Sequence, residues 1–285
     1  MSIPVAMSER RCFGAIQYEK GLVMPMMVRA RCFYLLVMLL GFSLLVGCSD
    51  KEANTFTLVG ELPPGFAYSA GVWYVPDPER KCEVTDWRRT MPSLNRKWRQ
   101  DYNPVAVIEI RKIIKGCHMI LSRIKMEIHA AYGDKFHQVS YDNASIGVLL
   151  DVPEEARRVM TSEREDTFYG ECQWLFRTAG KTRVIWKLLD CKKDNERGEK
   201  GRGKPFALYA LDQLPGLTVR MNVRLAEKER PSIGDTWVEF ASGWKRCLGE
   251  GMEDTYAFCR GNYENFSDFI MPDGRVCNVY PHCEE

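Results

Sequence analysis

The sequence predicts a mainly β or α+β fold: disulfide-stabilised antiparallel sheets with one or two short helices. Three observations predict it. From Leu217 to Leu225 five apolar residues alternate without a break with four polar ones, the period of a half-buried strand. Between Cys172 and Cys191, the apolar runs 174–176 and 184–186 flank Thr178-Ala179-Gly180-Lys181, a turn-compatible tetrapeptide, so this segment reads as a hairpin. Finally, an even set of eight cysteines follows a secretion signal, the usual sign of a disulfide framework in an oxidising compartment.

The signal lies at Phe33–Val46, fourteen mostly apolar residues without a charge, preceded by Arg29 and Arg31. A spanning helix needs about 20 such residues, so the run suits the core of a signal peptide better. It ends in Leu45-Val46-Gly47-Cys48, a bacterial lipobox pattern in which the Cys48 thiol is the acyl acceptor. Residues 1–47 are therefore expected to be removed, with the true start at Met24, Met26 or Met27 and with Cys12 and Cys32 outside any folded domain. Ser49 follows the acylated cysteine where an Asp is the usual inner-membrane retention signal. The expected location is thus the periplasmic face of the outer membrane.

Residues 48–55 form a polar, lipid-anchored tether. Its seven residues after Cys48 reach at most about 25 Å, which keeps the folded part near its membrane. A β-rich lobe over 56–164 and a cysteine-rich β lobe over 165–285 are expected to follow, divided at the charged stretch 162–166. Removing the leader leaves 35 basic and 36 acidic residues, so no overall field favours nucleic acid or an anionic lipid surface.

The elements are expected in this order. Strands lie at 56–62 and 72–75, each stopped by a proline pair, while 84–103 has no clean period. The apolar stretch 105–130 fits either strands or a helical stripe. The alternation of Ile124, Met126 and Ile128 with Lys125, Glu127 and His129 favours strands, split at Gly116-Cys117. Another short apolar run lies at 146–150. Residues 153–160 have the best helix signal, a leading proline, acids in the first turn and bases behind them. The loop 192–204, with six basic and three acidic residues and three glycines, is expected to be exposed and mobile. Residues 235–240 are expected to pair with the 217–225 strand, and 271–275 form a tight turn.

The cysteines available for bridges are Cys82, Cys117, Cys172, Cys191, Cys247, Cys259, Cys277 and Cys283. Cys172–Cys191 is expected at the open end of the hairpin. Cys247–Cys259 and Cys277–Cys283 follow as local closures, which leaves Cys82 with Cys117. No Cys-x-x-Cys pair suggests zinc, and Cys277 to Cys283 with His282 is the nearest approach to a metal site.

No nucleophile elbow, zinc helix, phosphate loop or dinucleotide fingerprint is present, and no catalytic residue, metal or cofactor is assigned. His118, His129, His137 and His282 read as structural or solvent-exposed, and the seven Trp as mostly core. Glu250, Glu253 and Asp254, lying between two cysteines, form either a solvated acidic loop or a surface that meets a basic partner.

The lipobox, the eight cysteines and the C-terminal run from Trp244-Lys245-Arg246-Cys247 through Phe258-Cys259 and Val276-Cys277 to Tyr280-Pro281-His282-Cys283 carry a resemblance. The chain resembles the periplasmic immunity lipoproteins paired with type VI secretion effectors, especially lipases. The match is to a type of protein, not a residue-level motif. It implies a non-enzymatic protein that binds and neutralises a secreted effector, with no small-molecule substrate and no nucleic acid. A structural or assembly lipoprotein of the envelope, or of a secretion machine, shares the same features and is the alternative.

Overall fold

In the computed structural model the described residues are 53–80, 82–83, 86–90, 94 and 98–283. The expected leader and Cys48 lie outside them. Alternation dictates the architecture, and almost every element is a strand. The largest sheet contains β1 (Thr55–Glu61), β4 (Val105–Glu109), β8 (Glu165–Ala179), β9 (Val184–Asp194), β11 (Thr218–Leu225), β12 (Arg230–Pro231), β16 (Phe269–Ile270) and β17 (Val276–Cys277). Its order is β17-β16-β9-β8-β11-β1-β4, with β12 continuing beside β8. A second sheet contains β2 (Phe66–Pro76), β3 (Trp87–Thr90), β5 (Arg111–Ile114), β6 (Cys117–Ala131), β7 (Val139–Leu149) and β10 (Phe206–Ala210), ordered β10-β7-β6-β2-β3, with β5 on β6. A small third sheet joins β13 (Trp237–Phe240), β14 (Gly243–Cys247) and β15 (Phe266–Ser267).

The expected mainly β fold is therefore present, with mixed rather than purely antiparallel sheets. β11 lies parallel to both β1 and β8, and β10 lies parallel to β7. The strand at 217–225 is seated between β1 and β8, buried on alternate residues Val219, Met221 and Val223. Its expected neighbour, 235–240, instead pairs with β14 in the third sheet. Both open sides of β11 are already taken, so no hydrogen-bonding edge is left for a third partner.

One core lies between the two large sheets. Leu58, Ile108, Phe168, Trp174, Val219 and Met221 from the first sheet join Tyr68, Val72, Met126, Ile128, Ala144 and Ile146 from the second. This cluster draws on residues from both sides of position 165. Tyr68 is fully buried, yet its hydroxyl donates to the carbonyls of Leu58 and Pro104. Burial pushes its phenol pKa far above the ordinary value, so the hydroxyl keeps the proton it donates. A smaller aromatic core forms around Phe176, Ile185, Trp237, Phe269 and Tyr280.

The strands expected within 105–130 are β4, β5 and β6, and the break at Gly116-Cys117 falls where β6 begins. The helix expected at 153–160 is not there. Only Glu154–Ala156 forms one 3₁₀ turn, because the segment has no apolar stripe to bury. Val159 is 93 % exposed, and Arg158 is drawn instead to the Asp166 carboxylate and the Thr167 carbonyl. The hairpin is present, with its turn at 180–183, two residues beyond the expected tetrapeptide.

The 192–204 segment is largely exposed, as expected, but it is tied down. Its first residues extend β9, and the backbone returns through Gly201 N to Lys193 O (2.7 Å) and Lys193 N to Gly203 O (2.9 Å). Asp194 is buried against Arg224, Lys204 pairs with Asp142 and Asp190, and Asn195 Oδ1 accepts from the amides of Arg197 and Glu199. This fold-back, with Ser140 and Asp142 accepting the Leu189 and Cys191 amides, covers an edge of β9 that would otherwise expose unpaired groups.

All four disulfides join the cysteines expected from the sequence: Cys82–Cys117, Cys172–Cys191, Cys247–Cys259 and Cys277–Cys283. Cys172 and Cys191 are directly opposed in the β8–β9 ladder and fully buried.

Replacing both Cys172 and Cys191 by Ala should lower stability by about 3 kcal/mol, the loop-entropy value for a closure of this span. Urea unfolding against the oxidised parent checks this. A loss below about 1 kcal/mol would mean the strand pairing alone closes the loop in the unfolded chain.

Candidate partner-binding site

The acidic segment between Cys247 and Cys259 contains no regular element, yet its backbone is fixed from inside by two arginines. Arg183 sits at the end of the hairpin turn and is fully buried. It donates to the carbonyls of Cys247 (3.0 Å), Leu248 (2.8 Å) and Gly251 (2.8 Å) and to the Ser267 hydroxyl. Arg246, on β14, is 3 % exposed and donates through Nε to Thr178 Oγ1 (2.9 Å). Its terminal nitrogens donate to the carbonyls of Thr236 (2.5 Å), Ala257 (2.9 Å) and Tyr256 (2.5 Å). The guanidinium also lies over the Trp237 ring, 5.6 Å from its centre.

Among the described residues neither guanidinium has a carboxylate within ion-pair distance. Backbone carbonyls replace the water that burial removed, a charge-assisted arrangement that leaves both cations in place. Burial pushes both pKa values down. That of Arg246 falls to about 10, lowered further by Arg183 nearby and partly restored by Asp254, so it stays charged at neutral pH.

The loop is closed from its own side by Asp254. Its Oδ1 accepts the amides of Tyr256 (3.1 Å) and Ala257 (3.0 Å), and its Oδ2 accepts that of Glu250 (3.2 Å). These bonds hold the carboxyl below its ordinary pKa. Gly249 has φ +66°, and a Cβ there would lie 2.6 Å from the Ala257 Cα, so the turn requires glycine.

The three acids expected to meet a partner thus have different roles. Asp254 is spent on the loop's own amides. Glu250 and Glu253 are exposed and carry surface ion pairs with Arg260 and Lys181, which are weak enough to exchange for a partner. The outward side chains are those of Met252 (47 % exposed), Glu253, Thr255 and Tyr256 (62 % exposed), and the Tyr256 ring is stacked on Phe258 at 5.9 Å. Between this loop and the hairpin tip is a cleft of about 260 Å³, lined by Arg177, Thr178, Ile233, Trp237, Arg246 and Tyr256 among others.

His129 is less open than its polar strand face suggested. It is half-buried between the rings of Trp98 and Tyr141, and burial pushes its pKa down. Ser69 Oγ and Glu127 Oε2 lie 3.5 Å and 3.7 Å away, but both approach the same ring nitrogen, Nε2. A nucleophile relay needs the acid on the other nitrogen, so the three do not form one. His118 contacts Arg80 at 3.0 Å, and His137 and His282 are exposed. Among the described residues no group of three or more His, Cys, Asp or Glu could hold a metal ion, and no helix is long and apolar enough to cross a membrane.

Arg183 and Arg246 carry the site and were not singled out in the sequence. An arginine in a hairpin turn, or in a Lys-Arg-Cys run, is ordinarily a surface residue, and nothing local marks either as buried.

No family model, no curated protein and no solved structure matches the chain.

Arg183→Ala should cost at least about 3 kcal/mol, because it removes charge-assisted bonds to the carbonyls of Cys247 and Leu248 and leaves that of Gly251 with the Asp254 amide alone. Urea unfolding measures it, and a cost under about 1 kcal/mol would show that the loop does not depend on the cage. Asp254 supplies a pH test. Its folded pKa is depressed, so its contribution is present above the unfolded value of 3.8 and is lost as pH falls through the lower folded value. Asp254→Asn should therefore flatten the acid limb of the stability curve below pH 4, as read by thermal melts.

Proposed function

We propose that the protein is a periplasmic lipoprotein, anchored through Cys48 at the outer membrane, that binds and neutralises a secreted toxic effector. The lipobox and cysteine pattern support an immunity protein of the type VI secretion class. The resemblance to that class implies a phospholipase or lipase as the effector. The observation that carries the binding role is the 248–258 loop: a backbone held by Cys247–Cys259, two buried arginines and Asp254, with Met252, Glu253, Thr255 and Tyr256 facing outward. A loop fixed before binding loses little entropy on association, so more of its contact energy is left as affinity. Exposed Tyr beside Met is a residue pairing that anchors protein interfaces. Glu250 and Glu253 at the rim would speed association with a basic surface without supplying most of the affinity.

Two experiments test this reading. Co-expression with the toxic effector encoded beside its gene, exported to the periplasm, should rescue growth. Tyr256→Ala should weaken binding by roughly thirtyfold, the range of an aromatic interface anchor, with the thermal melt unchanged. Failure of the parent protein to bind or protect against any adjacent effector removes the immunity reading in favour of an envelope-assembly role. Separately, Cys48→Ala should release the protein from the membrane fraction and abolish acyl labelling. Unchanged detergent partitioning would rule out the lipid anchor.

A further inference from the structure

We propose that the cleft between the hairpin tip and the 248–258 loop is a carboxylate-binding site, with Arg246 in its lining beside the apolar side chains of Ile233, Trp237 and Tyr256. Its lining offers donors and no acid: Arg177, Thr178, Ala179, Gly180, Thr236 and Thr255 complete it. A guanidinium has five N–H donors. Four of those on Arg246 go to Thr178, Thr236, Ala257 and Tyr256, so one remains on a side chain that lines the cleft. Thr178 accepts from Arg246, which leaves its own hydroxyl hydrogen to donate. Arg177 at the rim is exposed and has no ion pair among the described residues.

The charge balance favours an anion. No acid lines the cleft, and Asp254 is taken up by its loop's own amides. Arg246 lies beside a second buried cation, Arg183, and no carboxylate among the described residues is within ion-pair distance of it. A carboxylate would supply a counter-charge and accept from the remaining Arg246 N–H and from the Thr178 hydroxyl. The Trp237, Ile233 and Tyr256 wall suits an acid with an apolar or amide body and is wasted on a bare inorganic anion. Two sources share this chemistry: a free organic acid, or an acidic side chain of a partner protein. The site stands independently of the effector-neutralising reading, since either source can occupy it.

Calorimetry on the full chain, purified in detergent at constant ionic strength, tests it with phenylacetate and with the blocked tripeptide N-acetyl-Gly-Asp-Gly-amide. The neutral controls are phenylacetamide and the Asn tripeptide, and inorganic phosphate is the third comparison. Saturable one-to-one binding of a carboxylate probe, with none by its neutral counterpart, supports the proposal. Binding confined to phenylacetate assigns a free acid, and binding confined to the Asp peptide assigns a partner side chain. Arg177→Gln should weaken the binding about threefold, as for an exposed ion pair. Ile233→Asp, which puts a carboxylate into the cleft, should abolish it with the thermal melt unchanged. Silence from both carboxylates, equal binding of the neutral probes, equal binding of phosphate, or an unaffected Ile233→Asp variant would each overturn the assignment.

Discussion

The structure depends on one face of one strand. β8 buries every second residue from Phe168 through Gly170, Cys172, Trp174 and Phe176 to Thr178. The first of these enter the main core beside Leu189 and Cys191, and Phe176 enters the small aromatic core. Because side chains alternate strictly, a slip of one residue in the β8–β9 register would move all of them to the wrong face. The buried Cys172–Cys191 bond, between directly opposed residues, forbids that slip. The other partners of β8 inherit its register. β11 follows it in parallel from Thr218 to Leu225, and β12 takes up its far end at Leu175 and Phe176. The centre of the largest sheet is aligned to this one strand.

The C-terminal region solves a different problem. Its hydrophobic cluster is small, and most of the segment after Phe240 lies in turns with too little apolar surface to fold on burial alone. Covalent closure and buried cations share the task. Cys247–Cys259 fixes the two ends of a twelve-residue span, while Arg183 and Arg246 fix its middle by donating to its inward-facing carbonyls. Tyr280 adds a third contact of this kind. Its ring packs 4.1 Å from that of Phe176, and its hydroxyl donates to Glu229, with burial holding its proton far above the ordinary phenol range. A polar network in so small a core succeeds only when nearly every member is satisfied. Among the buried side-chain atoms described, only Arg183 Nε and Ser232 Oγ lack a partner.

Legibility in the sequence followed the range of each interaction. Strands with clean alternation, such as β6 and β11, were readable because period two is a local property. Three of the disulfides were readable because they close short loops, and the fourth pair was what remained. Partnership was not readable. Nothing within 235–240 says that Trp237 pairs with Arg246 instead of with the strand ending at Leu225, since that choice is made by which edges are already occupied. The 153–160 segment shows the opposite failure, where good end signals had no apolar face behind them. Charge composition misled at 192–204 in the same way, because Asp194, Asn195 and Lys204 find specific partners that a count of charges does not contain. The acids of the candidate site were visible as a cluster, whereas the arginines that shape it were not.

Building a loop on cation-to-carbonyl bonds has a consequence that ion pairs would not. A buried salt bridge ties the shape of a loop to particular side chains within it, whereas Arg183 and Arg246 hold carbonyls, which every residue has. A position whose carbonyl is held, such as 256, keeps its backbone whatever side chain it carries outward, whereas Gly251, at φ +117°, requires glycine. Of the side chains from 248 to 258, Asp254 alone is bound to the loop's own amides, and Ala257 is the one that is fully buried. Met252, Glu253, Thr255 and Tyr256 are free of the structural task. The surface can therefore change its chemistry without changing its shape. The 192–204 segment lacks this separation, because there the side chains of Asp194, Asn195 and Lys204 are themselves the ties, and altering them would release the backbone they hold.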